Sequence, residues 1–216
     1  FKKDDIIVVP DAGEPDSSMI EIAEASILWI KFTTYGKQCH ASTPQAGINA
    51  HLANAHLIIE LSNLYYIFDE KDATFNPPSS TFEPTKKESN VDNINTIPGE
   101  DIFYMDCRIL PHYTVDEVLT KIKMMVAEIE AKFKVKIQLD FPQKVEAPKP
   151  TPVDAEVVLK LQKAVKDIYD IDARPMGIGG GTVAAEFRKF GYKAAVWSTL
   201  NDTCHQPNEH SVIRYM

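Results

Sequence analysis

Between residues 101 and 141 the apolar period changes from two to about three and a half and back to two. Residues 101–110 put Phe103, Met105, Cys107 and Ile109 on one side of a strand, with Ile102, Tyr104, Asp106 and Arg108 on the other. Residues 115–133 carry Val118, Leu119, Ile122, Val126 and Ile129 along one helical face. Residues 135–141 alternate again. A helix with one apolar stripe, framed by strands with one apolar face each, buries all three surfaces by lying on a sheet.

The flanking sequence extends this unit. Residues 27–35 are rich in aromatic and β-branched side chains, which predicts a strand. In residues 48–67, Ile48, Leu52, Ala55, Ile59 and Leu64 recur at helical spacing, and residues 77–84 have strand character despite their prolines. The order over 27–141 is β-α-β-β-α-β, which predicts a four-stranded antiparallel sheet with both helices on one face. Four prolines within 142–152 mark the exit. Outside the unit stand a short apolar strand at 6–10, a helix at 154–169, a glycine-rich turn at 177–181, a helix at 182–190 and a strand at 194–198. The expected fold class is therefore α/β with an α+β insert. Residues 1–26 and 142–216 form pieces of an α/β domain, and residues 27–141 form the inserted one. The first residue is Phe, and the chain stops at what reads as a helix start, so both ends look like interior points of a longer protein.

Composition removes whole classes of function. No apolar run approaches the ~20 residues of a membrane span; the stretch 20–32 is broken by Glu21, Glu24 and Lys31. A net charge of −8 argues against a nucleic-acid partner, which needs clustered Lys and Arg. Three cysteines, Cys39, Cys107 and Cys204, without CxxC spacing indicate neither a disulfide framework nor a thiolate zinc site. A reducing, cytoplasmic compartment is the expectation.

The chemistry-bearing residues cluster at element ends. Asp11 directly follows the first strand and His205 follows the last, both positions where α/β sheets present ligands. A loop carboxylate suits a divalent metal and a neutral imidazole suits zinc; an Asx-turn aspartate and a surface histidine are the plainer readings, and Glu14 competes with Asp11. His40, between a strand and a helix, is placed to hold an oxyanion, unless its loop serves only to cap that helix. Alternation puts Asp106 beside Arg108, so a paired guanidinium could orient a carboxylate, with Asn95 upstream able to join it. A solvated salt bridge is the competing reading for that pair. Gly177-Ile-Gly-Gly-Gly-Thr182 precedes a helix, so its N–H groups and Thr182 could cradle an anion, although it matches no nucleotide fingerprint.

Four stretches in order, GKQCHASTPQAGINA, NTIPGEDIFYMDCR, GIGGGTVAAEF and HQPNE, resemble the dizinc metallohydrolase family of aminoacylase, acetylornithine deacetylase, succinyl-diaminopimelate desuccinylase and carboxypeptidase G. The resemblance implies a zinc-dependent hydrolase, with cobalt as a possible substitute metal. Its substrate is an amide bond near a free carboxylate, in an N-acyl amino acid, N-succinyl-diaminopimelate or a dipeptide. It implies metal ligation by Asp11 and His205 on different zinc ions. His40 becomes the lid histidine that reaches the partner subunit's active site, in a homodimer formed through the lid. Asn95 and Arg108 become the substrate-carboxylate anchor, and Gly180, Gly181 and Thr182 the pocket loop. The β-α-β-β-α-β unit corresponds to the family's lid and dimerisation domain. Two departures stand out. Val183 replaces the aspartate many members carry, and the His-x-Asp and Glu-Glu motifs of the N-terminal half occur nowhere in the chain. The alternative from a different class is a non-catalytic lid and dimerisation fragment with no zinc centre of its own.

Overall fold

A computed structural model describes residues 1–3, 5–201, 203 and 206–213. In chain order the strands are β1 (Ile7–Val9), β2 (Met19–Glu24), β3 (Ser26–Tyr35), β4 (Cys39–His40), β5 (Thr81–Lys87), β6 (Thr96–Ile97), β7 (Glu100–Ile109), β8 (Lys136–Val145), β9 (Arg174–Ile178) and β10 (Ala194–Val196). The helices are α1 (Ala50–Leu61), α2 (Leu64–Ile67), α3 (Val115–Phe133), α4 (Glu156–Tyr169) and α5 (Ala184–Lys189). They divide into two compact units. One comprises Phe1–Ala25, Asp72–Pro78 and Ala147–Met216, the other Ser26–Lys71 and Ser79–Glu146.

The second unit is an antiparallel sheet in the order β5-β7-β3-β8, carrying α1 and α3. Ten residues of β3 pair with ten of β7, from Ser26↔Ile109 to Tyr35↔Glu100. Alternation along β7 buries Asp101, Phe103, Met105, Cys107 and Ile109 and leaves the residues between them half-buried. Leu28, Ile30 and Phe32 join that face, and Leu57, Leu61, Val118, Ile122 and Val126 press down on it from the helices. α3 spans the expected residues because both ends are specified. Thr114 and Glu117 form a reciprocal capping box, and Lys134 closes the C-terminus at φ 59°.

The single helix expected at 48–67 is instead two. The Ser62 hydroxyl donates to the Ile59 carbonyl, and the α-helical run ends there before α2 begins at Leu64. Pro84 and Pro142 both lie on the sheet's edge strands, β5 and β8, where a missing N–H leaves no ladder bond unmade.

The first unit contains a mixed sheet in the order β1-β10-β2-β9. β1 and β10 run parallel, β2 and β9 run parallel, and the two pairs are antiparallel to each other. β2, MIEIAE, was not anticipated as a strand, because Glu21 and Glu24 interrupt its apolar pattern. All six of its residues are nevertheless buried. No described helix is long and apolar enough to cross a membrane.

Candidate functional site

The second unit brings two expected site residues together. β4 and β6 pair antiparallel, His40 opposite Thr96, and the Ala41 N–H donates to the Asn95 carbonyl at 2.7 Å. Both His40 and Asn95 are exposed. The Ser42 backbone N–H reaches His40 Nδ1 at 3.2 Å, and the Ser42 hydroxyl lies 2.7 Å from the same nitrogen. A backbone N–H can only donate, so Nδ1 is the acceptor and the neutral ring carries its proton on Nε2. Nε2 is thus a hydrogen-bond donor on an exposed residue whose strand pairs next to Asn95, the polarity an oxyanion requires.

Asp106 and Arg108 pair as the alternation of β7 predicts. Arg108 Nε lies 2.7 Å from Asp106 Oδ1 and Nη2 lies 2.9 Å from Oδ2. The Trp29 indole N–H adds a bond to Oδ2 at 2.6 Å. The fork is half-buried, so its orientation is fixed while part of the guanidinium remains accessible. Asn95 does not join it. The β4–β6 ladder sits at the Tyr35–Glu100 end of the sheet, whereas Arg108 pairs with Ile27 at the far end. Eight steps along the strand separate Glu100 from Arg108, about 27 Å at ~3.4 Å each. The proximity expected from sequence fails because an extended strand lies between the two residues.

In the first unit, Asp11 is exposed two residues beyond the end of β1. Its loop is pressed against the segment after β10: a Cβ on Gly13 would fall 1.7 Å from the Ser198 carbonyl oxygen. The Trp197 N–H donates to the Val9 carbonyl, and the Trp197 indole donates to Ser17 O at 3.1 Å. The segment leading to position 205 therefore leaves the sheet beside Asp11. His205 itself lies outside the described residues. Among the described residues no three His, Cys, Asp or Glu side chains converge as a metal site would need.

The Gly180–Thr182 loop leaves the carboxyl end of β9, the sheet edge opposite to the one where Asp11 emerges. Its threonine is already engaged. The Thr182 N–H and hydroxyl both donate to Glu24 Oε1, at 2.9 and 2.6 Å. Glu24 belongs to a buried ionic cluster that the sequence reading missed. Arg188 Nη1 lies 2.7 Å from Glu21 Oε1 and 3.6 Å from Glu24 Oε1. Other Arg188 nitrogens donate to Thr151 Oγ1 and to the Ala194 carbonyl. Burial pushes the Glu21 carboxyl up to about 7 despite Arg188. The sequence signal was two carboxylates inside an otherwise apolar stretch, which a buried strand tolerates only when they are paired.

A second missed residue is Asp101, wholly buried on the core face of β7. It accepts from Asn54 of α1 at 2.8 Å, from Lys87 at 2.6 Å and from Asn90 at 2.5 Å. Cys107, also buried, has its thiol pushed up to about 12 and is no nucleophile.

A family described as the peptidase dimerisation domain matches residues 22–134. An uncharacterized metallohydrolase of Methanocaldococcus jannaschii is 46% identical over 97% of this chain and 53% of its own length. A succinyl-diaminopimelate desuccinylase of Aliarcobacter butzleri is 23% identical over 97% of this chain and 54% of its own. The chain spans about half the length of the curated relatives it matches. Among solved structures, a tripeptidase from Staphylococcus aureus has the same fold, with a TM-score of 0.71 at 19% identity, covering 94% of this chain and 50% of the tripeptidase.

Proposed function

The chain belongs to the peptidase dimerisation-domain family, and from that premise we propose that it supplies the lid and part of the scaffold of a zinc-dependent amidohydrolase or peptidase. The substrate class is an amide next to a free carboxylate, as in an N-acyl amino acid or a dipeptide. The observation that carries the reading is the tautomer of His40. A loop hydrogen bond fixes an Nε2–H donor on an exposed residue in the ladder next to Asn95, where it can stabilise a tetrahedral oxyanion. Arg108, oriented by Asp106, anchors the substrate carboxylate. Asp11 and His205 serve as metal ligands, completed by residues of the protein beyond this span. The protein works in the cytoplasm.

The separation of about 27 Å between the Asn95 and Arg108 ends of β7 exceeds the length of any dipeptide. His40 and Asn95 therefore serve the site of a second copy, in a homodimer formed through this domain. Support comes from the β5 edge. Ile59 and Tyr66 are 68% and 82% exposed, and a groove beside the strand is lined by Ile58, Ile59, Tyr65, Phe82 and Pro84.

The test uses the complete, zinc-loaded protein with an N-acyl amino acid. His40→Ala should lower kcat by roughly 100-fold or more, and Arg108→Ala should lower kcat/KM comparably. Mixing the two inactive variants under subunit exchange should restore activity, because a mixed dimer has one intact site. Unchanged kinetics in either variant, or no recovery on mixing, overturns the reading. A lid and dimerisation fragment with no zinc centre of its own is the alternative, favoured by the lack of any His-x-Asp or Glu-Glu motif in the sequence. Zinc analysis of the complete protein separates the two, at about two ions per protomer for the enzyme and none for the fragment.

A further inference from the structure

The face of the second unit's sheet that lies away from α1 and α3 carries an aromatic ring directly beside the Arg108 fork. Along β3, Leu28, Ile30 and Phe32 enter the core, so Ile27, Trp29 and Lys31 lie on the opposite face. Trp29 stands across from Asp106 in the β3–β7 register. Its indole N–H and Arg108 Nη2 both donate to Asp106 Oδ2, at 2.6 and 2.9 Å. One carboxylate oxygen thus holds ring and guanidinium side by side in a fixed orientation. Trp29 is nonetheless 40% exposed. A groove of about 490 Å³ crosses the sheet at this level, its walls formed by Trp29, Tyr104, Met105 and Pro142 together with Lys86. That is room for a small ligand. Its polar groups are largely engaged: the Tyr104 hydroxyl donates to Glu88, and Lys86 Nζ lies 4.7 Å from the centre of the Tyr104 ring. The surface offered to a ligand is mainly apolar and adjoins a guanidinium aimed by its aspartate.

We propose that Trp29 is a specificity-determining residue beside the carboxylate anchor: its ring and the groove next to it take the large apolar side chain, aromatic by preference, of the amino acid whose carboxylate Arg108 holds. The proposal rests on the reading of Arg108 as that anchor. A carboxylate on Arg108 puts the atoms that follow it next to the indole. A phenyl-sized group there covers the ring and displaces water from the groove, whereas a methyl group leaves the indole hydrated. An acidic side chain would have to draw Lys86 away from Tyr104 and would gain nothing from Trp29. A basic one would meet Lys86 and Arg108, with Asp106 already bonded to two donors, a like-charge contact that costs binding.

Two carboxylates that differ only by a phenyl group decide the matter by calorimetry on the complete, zinc-loaded protein: 3-phenylpropanoate and propanoate. The phenyl compound should bind the wild type at least about tenfold more tightly. Trp29→Ala should bring the two affinities to within about twofold. Trp29→Phe keeps a ring but lacks the N–H that helps to hold Asp106, so both ligands should weaken alike while the preference remains. Arg108→Ala should weaken both ligands, which ties the groove to the anchor; unchanged affinities there overturn the proposal even where the phenyl preference holds. Equal affinities in the wild type, no detectable binding of 3-phenylpropanoate, a preference unchanged in Trp29→Ala or one lost in Trp29→Phe also overturns it. Equal wild-type affinities would leave Trp29 with no role beyond holding Asp106, and that comparison needs no variant to fold. Hydrolysis of N-acetyl-L-alanine and N-acetyl-L-phenylalanine measured alongside keeps the two claims apart. Turnover of both with no phenyl preference in binding sustains the hydrolase reading and sinks this one. A phenyl preference that depends on Trp29 and Arg108, without turnover, does the reverse.

Discussion

Asp101 is the residue whose loss should cost the lid unit most. Its carboxylate is wholly buried and accepts from Asn54, Lys87 and Asn90, with His51 Nδ1 at 3.3 Å, joining α1, β5 and the loop that leads to Asn95. Three bonds to a charged group sum to about 5–9 kcal/mol taken singly. Much of that is recovered on truncation to Ala. Lys87 and Asn90 are exposed and can turn to water, Asn54 keeps its bond to the Asp101 carbonyl at 3.0 Å, and a desolvated charge is removed. The net loss for Asp101→Ala should be about 3 kcal/mol. The pH dependence gives an independent check. Burial pushes the carboxyl up, but the Lys87 ammonium and the Asn54 and Asn90 amides outweigh it and hold it below its ordinary 3.8. A lowered value in the folded state stabilises fully above 3.8, and the stabilisation is lost as pH falls through the lower folded value. Urea unfolding followed by Trp29 fluorescence in a Trp197→Phe background reads this unit alone, since the chain has two tryptophans. A loss below about 1 kcal/mol, or an acid slope no shallower in Asp101→Ala than in the wild type, refutes the account.

Glu21 should produce the opposite pH dependence in the other unit. Its carboxyl is raised from 4.5 to about 7, chiefly by burial, so its stabilisation is full below 4.5 and is lost as pH rises towards 7. The loss is on the order of 3 kcal/mol. Unfolding of Trp197 fluorescence in a Trp29→Phe background should show that decline in the wild type and none in Glu21→Gln; a decline that persists in the variant removes Glu21 as its cause. Gly13→Ala would drive a Cβ into the Ser198 carbonyl, backbone against backbone. A fall in Tm of at least about 5 °C is expected, and an unchanged Tm would mean the Asp11 loop does not pack as described.

Periodicity made the lid fold readable, because each of its main elements buries only one face. β7 alternates, α3 carries a single stripe and a capping box, and the antiparallel order follows from elements that must share one core. β2 escaped notice for the converse reason. A central strand buried on both faces has no alternation to detect, and its two glutamates break the apolar run, their counter-charge coming from Arg188, more than 160 positions later. Asp101 was visible in principle: the alternation that buries Phe103 and Met105 buries it as well, and a carboxylate on a core face calls for several donors. What hid it was that those donors come from α1, β5 and a loop, at sequence separations no local pattern reports.

The site shows the same division between residue type and meeting place. His40, Asn95 and Arg108 announced themselves by chemistry and by their positions at element ends, and the β4–β6 ladder brings the first two together. Arg108 seemed close to Asn95 because only thirteen positions separate them, but ten of the residues from Glu100 onward are extended. In a helix the eight steps from Glu100 to Arg108 would advance about 12 Å; in a strand they advance about 27 Å. Secondary structure thus converts a short sequence interval into a distance no dipeptide-sized ligand can bridge. If one substrate is to meet both Arg108 and the His40–Asn95 pair, two copies of the chain must contribute to each site.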